Sequence, residues 1–144
     1  MKRVCDLLSA KGRDIWFLPP DATVYEAIDQ MAQKGVGALL VMEGTRLVGI
    51  VSERDYARKV ILKGKASREI QVREIMSYPV VCVPPDVTVE QTMALMTERR
   101  VRHLPVMLDE AVVGVISIGD VVRSMLEEKE FYIQQLTSYI TAGS

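Results

Sequence analysis

The chain has 144 residues, 49% of them hydrophobic and 26% charged, with a net charge of −1, one histidine and two cysteines. That length suits one compact domain burying about 70% of its unfolded surface. The near-zero charge argues against a nucleic-acid binder or a protein held on an anionic membrane, and no apolar run approaches the ~20 residues of a membrane span.

The opening Met1-Lys-Arg-Val-Cys-Asp6 is charged and leads into no apolar segment, so no signal peptide is expected. Cys5 and Cys82 do not make a disulfide framework, and a reducing, cytoplasmic location follows as the expectation. After the lead-in Val4-Cys-Asp-Leu7-Leu8, Thr23 and Glu26 form a capping-box pattern. The helix it opens runs through Ala27, Ile28, Met31 and Ala32 to Gly35 and Gly37. Strands are expected over 38–42 and 47–51, joined by the turn Glu43-Gly44-Thr45. Ser52-Glu53-Arg54-Asp55 opens a further helix through Tyr56, Ala57, Val60 and Ile61, and a polar connection follows.

The chain then says nearly the same thing again. Displaced by 65 positions, Pro19-Pro20-Asp21-Ala-Thr23-Val24 falls on Pro84-Pro85-Asp86-Val-Thr88-Val89, Val48-Gly49 on Val113-Gly114, and Asp55 on Asp120. The second half has its own capping pattern at Thr88 and Gln91, strands over 104–108 and 112–116, and a helix starting at Ser117-Ile-Gly-Asp120. A second lead-in, Val72-Arg-Glu-Ile75-Met76, precedes it. Met31, Met93 and Met96 sit on core faces of the helices. Over 127–140, Tyr132, Leu136, Tyr139 and Ile140 share one helical face, for which a second subunit is the natural cover. Two units are too few for an open solenoid, so two halves closing about a pseudo-twofold axis are expected.

Ser52 and Ser117 each precede an aspartate by three residues, which suits a helix cap with an acid in the first turn. The same arrangement suits a nucleotide, because free helix N–H groups hold phosphate and a carboxylate accepts from vicinal ribose hydroxyls. Arg54 opposes the helix dipole, which favours an anion there, although Asp55 is a possible local partner. Arg99, Arg100, Arg102 and His103 form a second basic cluster, readable equally as a solvated turn. Trp16 either stacks on a base or packs internally. No catalytic triad, zinc-ligand spacing or dinucleotide fingerprint can be assembled, so neither an enzyme nor a metal site is expected.

Pro-Pro-Asp-x-Thr-Val, Arg102-His103-Leu104-Pro105-Val106 and the two glycine-led runs ending at Asp55 and Asp120 make the chain resemble the tandem cystathionine-β-synthase (CBS) domain pair, or Bateman module, of free-standing bacterial proteins. The resemblance implies an α/β (α+β) fold of two repeats, each a small sheet packed with two helices. The expected divisions are 1–62, a linker over 63–71, 72–126, and a C-terminal dimerisation helix over 127–144. It also implies crossed sites. Ser52, Arg54 and Asp55 would work with Arg102, His103 and Pro105, with Val80 and Val81 along the base. Ser117 and Asp120 would face Val36, Gly37 and Ala38, with Ile15, Trp16 and Phe17 nearby. That second site has no counterpart of Arg102 or His103, so a less charged ligand is expected there. The implied function is a non-catalytic regulatory module that binds an adenine nucleotide (AMP first, then NAD(H) or ATP), acts as a homodimer and signals to a partner protein. A structural or interaction protein with no ligand is the alternative.

Overall fold

A computed structural model describes the backbone of residues 1–143 and the side-chain surroundings of residues 1–138. In chain order the elements are α1 (Val4–Lys11), β1 (Phe17–Leu18), α2 (Val24–Lys34), β2 (Ala38–Glu43), β3 (Arg46–Ser52), α3 (Glu53–Tyr56), α4 (Val89–Arg99), β4 (His103–Leu108), β5 (Ala111–Ser117) and α5 (Ile118–Gly143). Two small sheets result, β1-β2-β3 and β4-β5. The mixed α+β architecture is the expected one.

The repeat explains the core. Leu18, Val24, Met31, Leu39, Val41 and Val51 are buried in the first half, and Val83, Val89, Met96, Leu104, Val106 and Ile116, each 65 positions on, are buried in the second. Both expected capping boxes form. Thr23 Oγ1 accepts from Glu26 N at 3.1 Å while the Glu26 carboxylate accepts from Thr23 N at 3.2 Å. Thr88 and Gln91 repeat this at 3.1 and 3.0 Å. Each such cap stabilises its helix by about 1 kcal/mol.

Proline accounts for one difference between the sheets. In the first half β1 runs parallel to β2, pairing Phe17 with Leu40 and Leu18 with Val41, and Leu40 N donates to Trp16 O at 3.1 Å. In the second half Pro105 stands at the position of Leu40 and has no N–H to give. The parallel pairing shrinks to a single bridge, Val83 with Val106.

The chain divides into two compact units, Met1–Arg13 with Cys82–Leu108 and Val113–Ser144, and Asp14–Val81 with Asp109–Val112. This exchanges the lead-ins relative to the expected divisions. The first lead-in, grouped by sequence with residues up to 62, belongs with the second repeat: Val4 N donates to Val87 O and Cys5 N to Pro85 O, both at 2.9 Å. The second belongs with the first repeat, Val72 N donating to Ala22 O at 2.8 Å. The physical reason lies in two glycines. A Cβ on Gly114 would stand 2.6 Å from Leu8 Cδ2, and one on Gly49 would stand 2.4 Å from Met76 Sδ. Each lead-in side chain presses on a bare strand backbone of the other repeat.

Two helices differ from expectation. The one after Ser52 is a single α turn, α3, that widens into a π turn over Ala57–Ile61. The one after Ser117 does not stop before 127. No glycine or proline interrupts the chain from Val121 to Thr141, and α5 runs unbroken to Gly143. Along it Phe131, Tyr132, Ile133 and Leu136 are exposed. The side chains of Tyr139 and Ile140, placed by sequence on the same face, lie outside the described residues.

Candidate functional site

Both Ser-x-x-Asp runs form reciprocal caps, so the structural reading of these residues holds. Asp55 Oδ2 accepts from Ser52 N at 2.9 Å and from Ser52 Oγ at 3.0 Å, and Asp55 N donates to Ser52 Oγ at 3.3 Å. Asp120 Oδ2 accepts from Ser117 N at 2.8 Å, and Asp120 N donates to Ser117 Oγ at 3.2 Å. Each cap leaves its serine and aspartate half-buried at a strand-to-helix junction.

In each unit the loop before the hairpin joins the turn of its own repeat. Glu53 N donates to Gly37 O at 3.0 Å, and Ile118 N donates to Arg102 O at 2.8 Å. One unit therefore gathers Ser52, Arg54 and Asp55 with Gly37 and Ala38. Ile15, Trp16, Phe17, Val80 and Val81 are in that unit as well. The other unit gathers Ser117 and Asp120 with Arg102 and His103. Asp55 thus lies in one unit and Arg102, His103 and Pro105, its expected partners, in the other. Pro105 itself is buried, and what it contributes locally is the missing N–H.

The cations around the two aspartates differ from expectation. Asp55 pairs with Lys59, not Arg54, at 3.2 Å, and Lys59 Nζ also donates to Ile75 O at 2.9 Å. Arg54 is half-buried as a residue, and its side chain makes no ion pair or hydrogen bond among the described residues. Asp120 was expected to lack basic neighbours, and this is corrected. Lys11 Nζ donates to Asp120 Oδ2 at 2.6 Å and to Val115 O at 2.8 Å, and Arg123 lies 3.6 Å from Oδ1. The reason is the exchanged lead-in, which brings α1 onto the second repeat. Lys59 carried a legible signal, the i,i+4 spacing from Asp55. Lys11 carried none.

The electrostatics follow from this crowding. Burial pushes the Asp120 carboxyl up, but the Lys11 ammonium and the Ser117 N–H outweigh it and hold Asp120 below the usual carboxylate range. Burial, with Lys11 and Arg102 adding to it and Asp120 opposing, pushes the His103 imidazole below its ordinary value. His103 is therefore neutral at pH 7, able to accept a proton when an anion approaches.

Trp16 packs against the core of its own unit, with Lys34 Nζ 4.4 Å from its ring centroid. Of the methionines, Met31 and Met96 are buried as expected, and Met93 is half-buried. No group of three or more metal-ligating side chains occurs among the described residues, and no described helix is long and apolar enough to cross a membrane.

The family model of the CBS domain matches the chain twice, over residues 6–62 and 72–127. The chain is 39% identical over 150 residues to the mitochondrial CBS domain-containing protein CBSX3 of Arabidopsis thaliana, across 97% of this chain and 72% of that protein. The structure is similar to that of a protein with CBS domains from Burkholderia ambifaria, at 46% identity and a TM-score of 0.85, covering 88% and 95% of the two chains. It also matches a CBS domain protein of Pyrobaculum aerophilum, solved in complex with AMP, at 28% identity and a TM-score of 0.73, covering 82% and 88%.

Proposed function

The chain belongs to the CBS domain family, and from that premise we propose that it is a non-catalytic regulatory module that binds an adenine nucleotide and reports its presence to a partner protein. The observation that carries this reading is the pair of half-buried Ser-x-x-Asp turns at matched positions of two CBS repeats. A relative of the same fold, 28% identical, binds AMP. In this reading Asp55 accepts from the ribose hydroxyls, and the unpartnered Arg54 guanidinium beside it meets a phosphate. Arg102 and His103 lie in the other unit, with Asp120, and offer an anion-holding end to a ligand there. A neutral His103 gains a proton there and holds the anion by a charge-assisted bond.

AMP is the preferred ligand because one phosphate suits this small number of cations; NAD(H) and ATP follow. Binding would shift a conformational equilibrium that the partner reads, which requires only that the ligand favour one state over another. The chain would act as a homodimer, its exposed Phe131, Tyr132, Ile133 and Leu136 covered by a second copy. Those same residues favour the second reading, an interaction protein with no ligand of its own. Calorimetric titration with AMP, ATP, NAD(H) and S-adenosylmethionine separates the two. Saturable heat with at least one of them, strongest with AMP, is expected, and heat with none selects the interaction protein.

A further inference from the structure

The two repeats hold their aspartates with different lysines, and the difference has a spatial cause. Under the 65-position displacement Lys59, which reaches Asp55 from its own helical run, corresponds to Ser124. Serine is too short to reach the Asp120 carboxylate. Ser124 is 3% exposed, and its hydroxyl is the buried side-chain group without a hydrogen-bond partner among the described residues. A cavity of about 250 Å³ lies beside it, between α1 and the first turns of α5, lined by Asp6, Lys11, Asp120, Ser124 and Glu127 among others. Lys11, from α1, supplies the ammonium that the local helix does not.

The Lys11–Asp120 pair is therefore a long-range contact, made by the last residue of α1 across 109 positions of sequence. The Asp120 side chain is 11% exposed and that of Lys11 39%, so the carboxylate is sheltered while the ammonium reaches water. Its Oδ2 is already engaged by Lys11 and by Ser117 N. A vicinal diol that binds a carboxylate in bidentate fashion needs both oxygens, and so meets the Lys11 ammonium at Oδ2.

We propose that Lys11 is a built-in competitor for Asp120, an autoinhibitory latch that a ribose-bearing ligand must displace, and that the cavity at Ser124 is the place to which it is displaced. The cavity offers the departing ammonium the Asp6 carboxylate, which also caps α1 at Arg3 N, the Glu127 carboxylate, 3.8 Å from Lys2, and the Ser124 hydroxyl, which has no partner among the described residues. The Lys11 side chain is 39% exposed, so the departing ammonium has water as well as these groups to meet. Asp55 also carries an ammonium, Lys59 on Oδ1, but from within the same helical run, so displacing it frees no separate element. Ligand arrival at Asp120 would unpin the end of α1, whereas arrival at Asp55 would not. This rests on the nucleotide reading given above and adds a regulatory asymmetry between the repeats.

The test is adenosine titration, since an uncharged ligand isolates the diol from any attraction between Lys11 and phosphate. With Asp55→Asn as background, adding Lys11→Met removes the competitor, and adenosine should bind at least tenfold more tightly. Ser124→Met fills the cavity while leaving Lys11 and Asp120 in place, and should weaken adenosine binding severalfold. It also keeps the proposal exposed should Lys11→Met fail to fold. Should AMP bind the intact chain while Lys11→Met and Ser124→Met leave adenosine affinity unchanged, the latch is wrong and the nucleotide reading stands. Should neither AMP nor adenosine bind any of these proteins, the nucleotide reading fails and the latch goes with it.

Discussion

Leu8 lies so close to the backbone of Gly114 that a methyl group on that glycine would stand 2.6 Å from Leu8 Cδ2. The pair 65 positions earlier, Gly49 with Met76 Sδ at 2.4 Å, is the same device in the other unit. Both glycines sit inside strands, where glycine is otherwise unfavourable and marks a close approach. Gly114→Ala should therefore destabilise the fold by about 1–3 kcal/mol, the usual range for overpacking a core. Leu8→Ala in the same chain should recover part of that loss, because it removes the atom struck. Denaturant midpoints of the two single variants and the double variant measure the coupling. Strict additivity would show that the lead-in does not press on this strand.

Arg100 ends α4 with φ 56°, in the left-handed region that Gly35 occupies at the end of α2 with φ 66°. A side chain there costs about 1–2 kcal/mol, part of which glycine returns as unfolded-state entropy. Arg100→Gly should stabilise the chain by about 0.5–1 kcal/mol and raise Tm by roughly 2–4 °C. A lowered Tm would mean that the arginine makes up elsewhere for its backbone.

Stability should fall with pH in two stages. The His103 imidazole is held below its ordinary value, so beneath about pH 6.5 the unfolded chain takes up a proton that the folded chain resists. Stability therefore decreases as pH drops from 7 towards 5. Asp120, held below the carboxylate range, contributes stability that is present above its unfolded pKa and lost as pH falls through the folded value. His103→Gln should flatten the first stage and leave the second. Identical Tm profiles for His103→Gln and the parent between pH 7 and 5 would sink this assignment.

The exposed Phe131, Tyr132, Ile133 and Leu136 of α5 should support self-association. Light scattering at tens of micromolar should find a dimer for the intact chain and a weaker one, or a monomer, for a chain ending at Glu130. Two monomers would remove the homodimer from the account.

Much of this was legible in the sequence because it is local and said twice. Capping boxes at Thr23 and Thr88, the core positions from Leu18 to Ile116 and both serine–aspartate turns need only spacing to be seen. The exchanged lead-ins were not legible, because Leu8 and Gly114 meet across more than a hundred residues and no local pattern links them. The same holds for Lys11 and Asp120, so the basic surroundings of that aspartate were missed. Strand glycines at 49 and 114 were the one available hint that something approaches there. The helix opening at Ser117 and the helical face over 127–140 are one element, α5, because no residue near Glu127 breaks a helix.

The central claim is that Asp55 holds an adenine nucleotide, and one titration tests it most directly. AMP is titrated calorimetrically into the parent and into Asp55→Ala, with the melting of both proteins alone as the control, since Asp55 also caps its helix. Loss of a charge-assisted hydrogen bond costs about 1.5–3 kcal/mol, a ten- to more than hundredfold drop in affinity. Asp120→Ala should matter less, because Gly119 stands where Arg54 precedes Asp55, and His103→Ala should weaken AMP more than adenosine. AMP binding Asp55→Ala as tightly as the parent would contradict the account, and binding lost only in Asp120→Ala would move the site to the other repeat.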